Sequence, residues 1–175
     1  MKEKLILDAL DFATEAHKTQ VRKYTGEPYI FHPIEVAQMV YAVLEDEEAA
    51  AAALLHDVVE DTDVTEADVR KEFGDSVADL VMKVTKASEH KDGNRAVRKE
   101  MDRVHYANGC SRSQSIKLAD VISNSSDVVS HDPGFAKTYL VEQEALVNSL
   151  TEGHPDLYSA AVDSVAAAKA ALAKL

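Results

Sequence analysis

The chain has 175 residues, a formal net charge of −12 and one cysteine, Cys110. The acidic excess disfavours binding to nucleic acid or to an anionic membrane, because phosphate contacts need clustered Lys and Arg. A small anionic substrate remains possible, since a metal ion and a few basic groups can outweigh the overall charge. A single thiol suits a reducing compartment. The N-terminus is too charged for a secretory segment and no apolar run approaches a membrane span, so we expect a cytoplasmic protein.

Apolar residues recur with helical period along nearly the whole chain. In the first half, the pattern predicts a helical stripe over 3–20, a loop over 21–32, and helices over 33–45 and 47–60. Pro33 suits the first position of its helix and Asp46 suits a cap. Thr65 and Asp68 form the sequence pattern of a capping box for a helix to about residue 72, which Gly74 would end, and another helix is predicted over 76–87.

In the second half, the polar segment 88–94 precedes helices predicted over 95–107 and 111–126, and a further break at 132–134 (DPG) is followed by a helix to about 151. An Ala-rich helix over 155–174 is expected to pack on the body of the protein. The sequence shows no period-2 strand pattern, no repeat and no long linker. We therefore predict one all-α domain over 1–175, with eight to ten helices.

Residues 53–62 (ALLHDVVEDT) set four ionisable groups into an apolar helical run. Burying such groups is costly unless they are paired or bind a metal. Residues three and four apart share a helix face, so His56 and Glu60 should project together, as should Asp57 and Asp61. This spacing favours metal ligands followed by acid–base groups. The alternative is a helix end that simply turns polar.

Two distant residues extend this pattern, His32 in the run FHP and Asp120 in the run IKLAD. Together with His56 and Asp57 they make a mixed nitrogen and oxygen donor set, which suits Mn²⁺, Fe²⁺, Co²⁺ or Zn²⁺. Four protein ligands leave coordination positions for water and substrate, as a catalytic site requires.

The ordered pattern His32, His56-Asp57, Asp120 resembles the HD superfamily of metal-dependent phosphohydrolases. Longer stretches are similar to the hydrolase domain of RelA/SpoT-type alarmone enzymes, and the resemblance covers about residues 5–150. These stretches are QVRKYTGEPYIFHP (20–33), LLHDVVEDT (54–62), FG (73–74), VTK (84–86) and KLAD (117–120). The length of the chain is similar to that of the stand-alone small alarmone hydrolases.

The resemblance implies hydrolysis of (p)ppGpp at its 3′-pyrophosphate, which gives GDP or GTP and pyrophosphate. It also implies Mn²⁺ as the metal, although another divalent transition metal would suit the same donors. The implied metal ligands are His32, His56, Asp57 and Asp120. The implied acid–base residues are Glu60 and Asp61, and the implied substrate contacts are Arg22, Lys23 and Asn124.

Part of the nucleotide-recognition segment departs from the family pattern. After Asp120 the family usually has basic and aromatic residues, where this chain has Val121, Ser123 and Ser126. This departure favours an alternative, an HD-type phosphohydrolase acting on another nucleotide such as NADPH or a nucleoside phosphate. A non-catalytic nucleotide-binding module is a third interpretation. It is less favoured, because the ligands and the acid–base pair are all present.

Several further residues have weaker assignments. Lys86 matches a Thr-Lys pair of the family, but it could also be structural. We expect the histidines that lack a motif partner to be structural or surface residues. These are His17, His90, His105, His131 and His154.

Overall fold

The computed structural model describes residues 2–125 and 127–175. These ranges contain ten α-helices, a short 3₁₀ helix at His90–Asp92 and no strand, which confirms the predicted all-α class and number of helices. The helices are α1 (Lys2–Ala16), α2 (Phe31–Leu44), α3 (Glu47–Leu54), α4 (Val58–Asp61), α5 (Glu66–Val84), α6 (Arg95–Ala107), α7 (Ser111–Ser125), α8 (Val128–His131), α9 (Pro133–Ser149) and α10 (Pro155–Leu172). Ser126, one of the departures from the family pattern, lies outside the described residues.

The chain forms two compact units, which divide after Lys86. In the first unit, α3 packs against α1, α2 and α5. All six residues of 49–54 are buried, five of them alanines, so α3 is apolar all round and lies in the core of its unit. Among the described residues, none of the helices is both long enough and apolar enough to cross a membrane.

In the second unit, α7 and α9 pack against α6 and also against α10. The buried residues of α10 are Leu157, Ala161 and Val165, spaced four apart. This spacing puts them on one face. The Ala-rich helix therefore packs on the body of its unit, as its composition predicts.

The helix predicted over 47–60 is wrong as a single element. Asp46 does cap α3, since its Oδ1 accepts a hydrogen bond from the Ala49 amide at 3.0 Å, but α3 ends at Leu54 and α4 begins at Val58. The side chain of His56 explains the interruption. Its Nδ1 lies 2.7 Å from the carbonyl oxygen of Ala53, which in a continuous helix would accept from the amide of residue 57. A side chain that bonds to a nearby backbone group competes with the helix in this way.

The other predicted helices agree with the structure to within four residues at each end, the largest difference being α1, which ends at Ala16, and the short helix α8 was not predicted. The Thr65–Asp68 capping box forms, and the break expected at Gly74 is a single non-helical residue within α5, with φ 83°. This left-handed backbone conformation favours glycine because it has no Cβ. Pro33 is the third residue of α2 and not the first.

Candidate metal centre

Three predicted ligands converge in the first unit. His32, His56 and Asp57 each offer one donor atom, and these atoms all lie within 4.8 Å of one another. His32 lies in the first turn of α2, while His56 and Asp57 occupy the turn between α3 and α4. The Nε2 atoms of His56 and His32 lie 3.0 Å and 3.6 Å from Asp57 Oδ2. Both imidazoles are buried, and the Asp57 side chain is 17% exposed.

The hydrogen bond of His56 decides which ring nitrogen can bind a metal. A carbonyl oxygen only accepts, so the Nδ1 that faces Ala53 carries a hydrogen. In the neutral ring, Nε2 then presents a lone pair to the Asp57 carboxylate 3.0 Å away. Two acceptors at this distance attract each other only when a cation lies between them, either a proton or a metal ion. The donor set and its geometry therefore fit a divalent metal ion.

Tyr29 is a contact that the sequence did not single out. Its hydroxyl donates to Asp57 Oδ2 at 2.6 Å, the same oxygen that faces both imidazoles. Its ring centroid lies 4.8 Å from that of His17 and 5.8 Å from that of His32. The sequence feature that could have identified Tyr29 is its position in the 20–33 motif, three residues before the predicted ligand His32. His17, expected to be structural or on the surface, is buried.

The two predicted acid–base carboxylates lie on α4 in different environments. The Glu60 carboxylate accepts from the Lys86 backbone amide at 3.2 Å and pairs with the Lys86 ammonium at 3.0 Å. Desolvation raises the pKa of Asp61, and the nearby carboxylates of Asp57 and Glu60 raise it further. Two adjacent carboxylates with unlike surroundings suit a division into proton acceptor and proton donor. Lys86 thus has a direct contact with the candidate site.

A cavity of about 870 Å³ in the first unit borders Glu60 and Asp61. Further acidic residues line it, namely Asp63, Asp68 and Glu72. Such a wall repels phosphate and favours water or cations. We therefore expect an anionic substrate to approach the acid–base pair from another side.

Asp120, the fourth predicted ligand, belongs to the second unit, and its place in the ligand set stays a prediction. Its Oδ2 accepts from Lys117 Nζ at 2.8 Å, and its Oδ1 accepts from Asn124 Nδ2 at 2.5 Å. The Lys117 ammonium also lies 4.6 Å from the centroid of the Tyr106 ring. Asn124 therefore shares a face with Asp120, as its spacing predicts, and it contacts the carboxylate directly.

Arg22 and Lys23 lie in the loop between α1 and α2. This loop is closed by backbone hydrogen bonds from the Arg22 amide to the Glu27 carbonyl at 2.8 Å and from the Gly26 amide to the Arg22 carbonyl at 3.0 Å. Lys23 Nζ lies 3.3 Å from the Tyr24 hydroxyl. Contact of these two basic residues with a substrate stays a prediction.

One protein-family model matches most of the chain. The model of the HD domain family matches residues 9–139. The chain belongs to the HD domain family. The superfamily expected from the ordered histidines and aspartates is thereby confirmed.

Relatives within this family carry consistent names. "Guanosine-3′,5′-bis(diphosphate) 3′-pyrophosphohydrolase MESH1" of Drosophila melanogaster is 39% identical over 130 residues, which are 73% of this chain and 71% of the relative. "Guanosine-3′,5′-bis(diphosphate) 3′-pyrophosphohydrolase" of Aquifex aeolicus is 51% identical over 78 residues, 45% of this chain. The matched part is only 11% of the length of that bacterial relative.

A solved structure supports the same relationship. It is described as a metazoan ortholog of SpoT that hydrolyses ppGpp and plays a role in starvation responses. It superimposes with a TM-score of 0.81 at 33% identity, over 91% of this chain and 93% of the other. This solved relative therefore shares the fold described above.

Replacing Asp57 tests the ligand assignment. Because its Oδ2 lies between two imidazoles, we expect Asp57→Ala to lose stoichiometric Mn²⁺, measured by equilibrium dialysis and elemental analysis. The matched control is Asp63→Ala, an exposed carboxylate in the same unit that should leave metal content unchanged. Wild-type metal content in Asp57→Ala would exclude Asp57 as a ligand.

The raised pKa of Asp61 predicts a pH dependence of stability in metal-free protein. Its ionised form is less favoured in the folded than in the unfolded state, so its contribution to stability is present below its ordinary pKa of 3.8 and is lost as pH rises through the higher folded value. Asp61→Asn should therefore raise the free energy of unfolding at pH 7, with a gain that shrinks towards pH 4. Urea unfolding in chelator at several pH values measures this. A gain that grows as pH falls would contradict the assigned direction.

Proposed function

We propose that this protein is a metal-dependent (p)ppGpp 3′-pyrophosphohydrolase of the cytoplasm, which converts (p)ppGpp to GDP or GTP and pyrophosphate. The observation that carries the proposal is the convergence of His32, His56 and Asp57 next to the helix that bears Glu60 and Asp61. The names of the relatives support the substrate, since both the Drosophila protein and the solved metazoan structure are described by action on ppGpp.

Mn²⁺ is the metal we propose, with His32, His56, Asp57 and Asp120 as its ligands. When bound, a divalent ion neutralises developing phosphate charge and lowers the pKa of water. The chain contributes the orientation of the donors. His56 is held by the Ala53 carbonyl and the Asp57 carboxylate by Tyr29, while Asp120 is held by Lys117 and Asn124. Fixed donors of this kind bind a metal without a large ordering cost.

The reaction needs two proton transfers. Water attacks the phosphorus that is bonded to the ribose 3′ oxygen, the bond between these two atoms breaks, and the 3′ oxygen gains a proton. In the proposed reaction, Glu60, whose carboxylate contacts Lys86, takes the proton of the attacking water. Asp61, whose pKa is raised, is suited to hold and deliver the proton of the leaving oxygen.

Binding of the substrate phosphates depends on the few basic groups of this acidic protein. Arg22 and Lys23 lie together in a hydrogen-bonded loop that leads to His32, so they can attract the phosphates of a nucleotide to the metal centre. Asn124, with its amide on Asp120, can contact the nucleotide and the ligand set from one position. The acidic residues that line the cavity beside Asp61 disfavour phosphate binding there.

A second candidate function keeps the same chemistry with another nucleotide, such as NADPH or a nucleoside phosphate. It is favoured by Val121 and Ser123, which occupy positions where the family usually has basic and aromatic character. Neither side chain carries a charge or an aromatic ring, and both are buried in α7. A non-catalytic binding module is disfavoured because the donor cluster and both acid–base carboxylates are present.

A substrate panel separates these functions. The purified protein with Mn²⁺ is offered ppGpp, pppGpp, NADPH and GTP, and the products are followed by chromatography and pyrophosphate release. We expect pyrophosphate from ppGpp and pppGpp, with NADPH and GTP unchanged. Dephosphorylation of NADPH or GTP with ppGpp untouched would overturn the proposed substrate.

Replacing Glu60 tests its acid–base role apart from metal binding. Glu60→Gln preserves shape and hydrogen-bonding capacity but cannot accept the proton, so kcat should fall by about 10² to 10⁴ with Mn²⁺ retained. Glu72→Gln, which lines the same cavity without a contact to the donor cluster, is the matched control and should keep its kcat. Full activity of Glu60→Gln at saturating substrate would remove Glu60 from the chemistry.

A further inference from the structure

The hydroxyl of Tyr29 contacts the donor cluster formed by His32, His56 and Asp57. It donates at 2.6 Å to Asp57 Oδ2, which lies 3.0 Å from His56 Nε2 and 3.6 Å from His32 Nε2. We propose that Tyr29 is a positioning residue of the metal centre and that His17 and Gln20 hold its ring and backbone in place. The inference rests on the metal dependence of the proposed function.

A carboxylate ligand can rotate about its side-chain bonds, and each rotation turns a different lone pair towards the metal. The phenol removes this freedom, because it binds the oxygen that faces both imidazoles and leaves one orientation favoured. Hydrogen-bond partners of metal ligands typically change metal affinity by about 10–100-fold when they are removed. Tyr29 can exert such an effect without touching the metal.

The ring of Tyr29 is itself held by His17, at the end of α1. His17 is buried, its ring lies 4.8 Å from that of Tyr29, and its Nδ1 lies 2.7 Å from Gln20 Oε1. Among the described residues, its Nε2 has no hydrogen-bond partner. A buried nitrogen of this kind costs stability, so packing alone would favour a hydrocarbon ring at this position. The bond from the imidazole to Gln20 explains why a histidine is suited here.

Gln20 connects Tyr29 with α4, the helix that bears Glu60 and Asp61. Its backbone carbonyl accepts from the Tyr29 amide at 3.0 Å, and its side-chain Nε2 donates to the backbone carbonyl of Asp61 at 2.6 Å. One residue therefore ties the backbone of Tyr29 to the end of α4. Gln20 therefore connects Tyr29, which contacts the proposed ligand Asp57, with Asp61, the proposed proton donor.

Removing only the hydroxyl tests the proposal. In Tyr29→Phe, the Kd for Mn²⁺, followed by electron paramagnetic resonance of the free aqua ion, should rise about 10–100-fold. Circular dichroism and thermal unfolding of the metal-free variant check that it is folded. Tyr41→Phe, which changes an exposed tyrosine of α2, is the matched control and should keep the wild-type Kd.

Metal rescue separates positioning from chemistry. With Mn²⁺ above the raised Kd, ppGpp turnover by Tyr29→Phe should return to within a few-fold of wild type, whereas Glu60→Gln should keep its lowered kcat at any metal concentration. A merely structural role would lower the unfolding temperature and leave the Kd of the folded fraction unchanged.

A second variant covers the possibility that Tyr29→Phe does not fold. His17→Phe keeps an aromatic ring against Tyr29 and removes the bond to Gln20, so its Kd for Mn²⁺ should rise by less than that of Tyr29→Phe. A Kd within twofold of wild type in every folded variant of Tyr29 and His17 overturns the proposal.

The binding readout also distinguishes this inference from the proposed function. If wild type binds Mn²⁺ but leaves ppGpp intact, and Tyr29→Phe still weakens binding, the inference is supported and the proposed substrate is wrong. If ppGpp is hydrolysed and Tyr29→Phe binds Mn²⁺ as wild type does, the proposed function is supported and the inference is wrong. Failure of wild type to bind Mn²⁺ overturns the inference and the metal assignment together.

Discussion

The site depends on one electrostatic constraint, the meeting of two buried imidazoles with a carboxylate oxygen within 4.8 Å. His56 presents a lone pair to Asp57 because its other ring nitrogen is committed to a backbone carbonyl. Such a cluster is stable only when positive charge lies between the acceptors, and the neighbouring side chains keep the donors aimed at one point. Binding of the proposed metal would therefore be coupled to local structure in this half of the chain.

The core helix α3 brings this cluster about. Its alanines bury a helix in close contact with α1, α2 and α5, and the chain then turns sharply at residues 55–57. The turn separates the two doublets, so His56-Asp57 faces His32 while Glu60-Asp61 ends the separate short helix α4. The Lys86 ammonium pairs with the Glu60 carboxylate, and acidic residues line the cavity that borders Glu60 and Asp61. The two carboxylates therefore have unlike surroundings.

Sequence periodicity was enough to predict the all-α class, the caps of Asp46 and Thr65 and the break at Gly74, because each rests on local backbone chemistry. It failed at residues 47–60, where an imidazole takes a carbonyl from the helix ladder, a contact that an apolar pattern cannot reveal. The cluster of His32 with His56-Asp57 was predictable from residue type and family pattern. The contacts of Tyr29, Gln20 and Lys86 were not, since they join residues 26 to 41 positions apart.

Anomalous diffraction can show whether a divalent ion binds between His32, His56 and Asp57, as proposed. Crystals grown with Mn²⁺ would be measured on both sides of the manganese absorption edge. We expect one strong anomalous peak within coordination distance of both Nε2 atoms and of Asp57 Oδ2. Mn²⁺ bound at full occupancy elsewhere on the protein, with no anomalous peak at this cluster, would contradict the proposed ligand set.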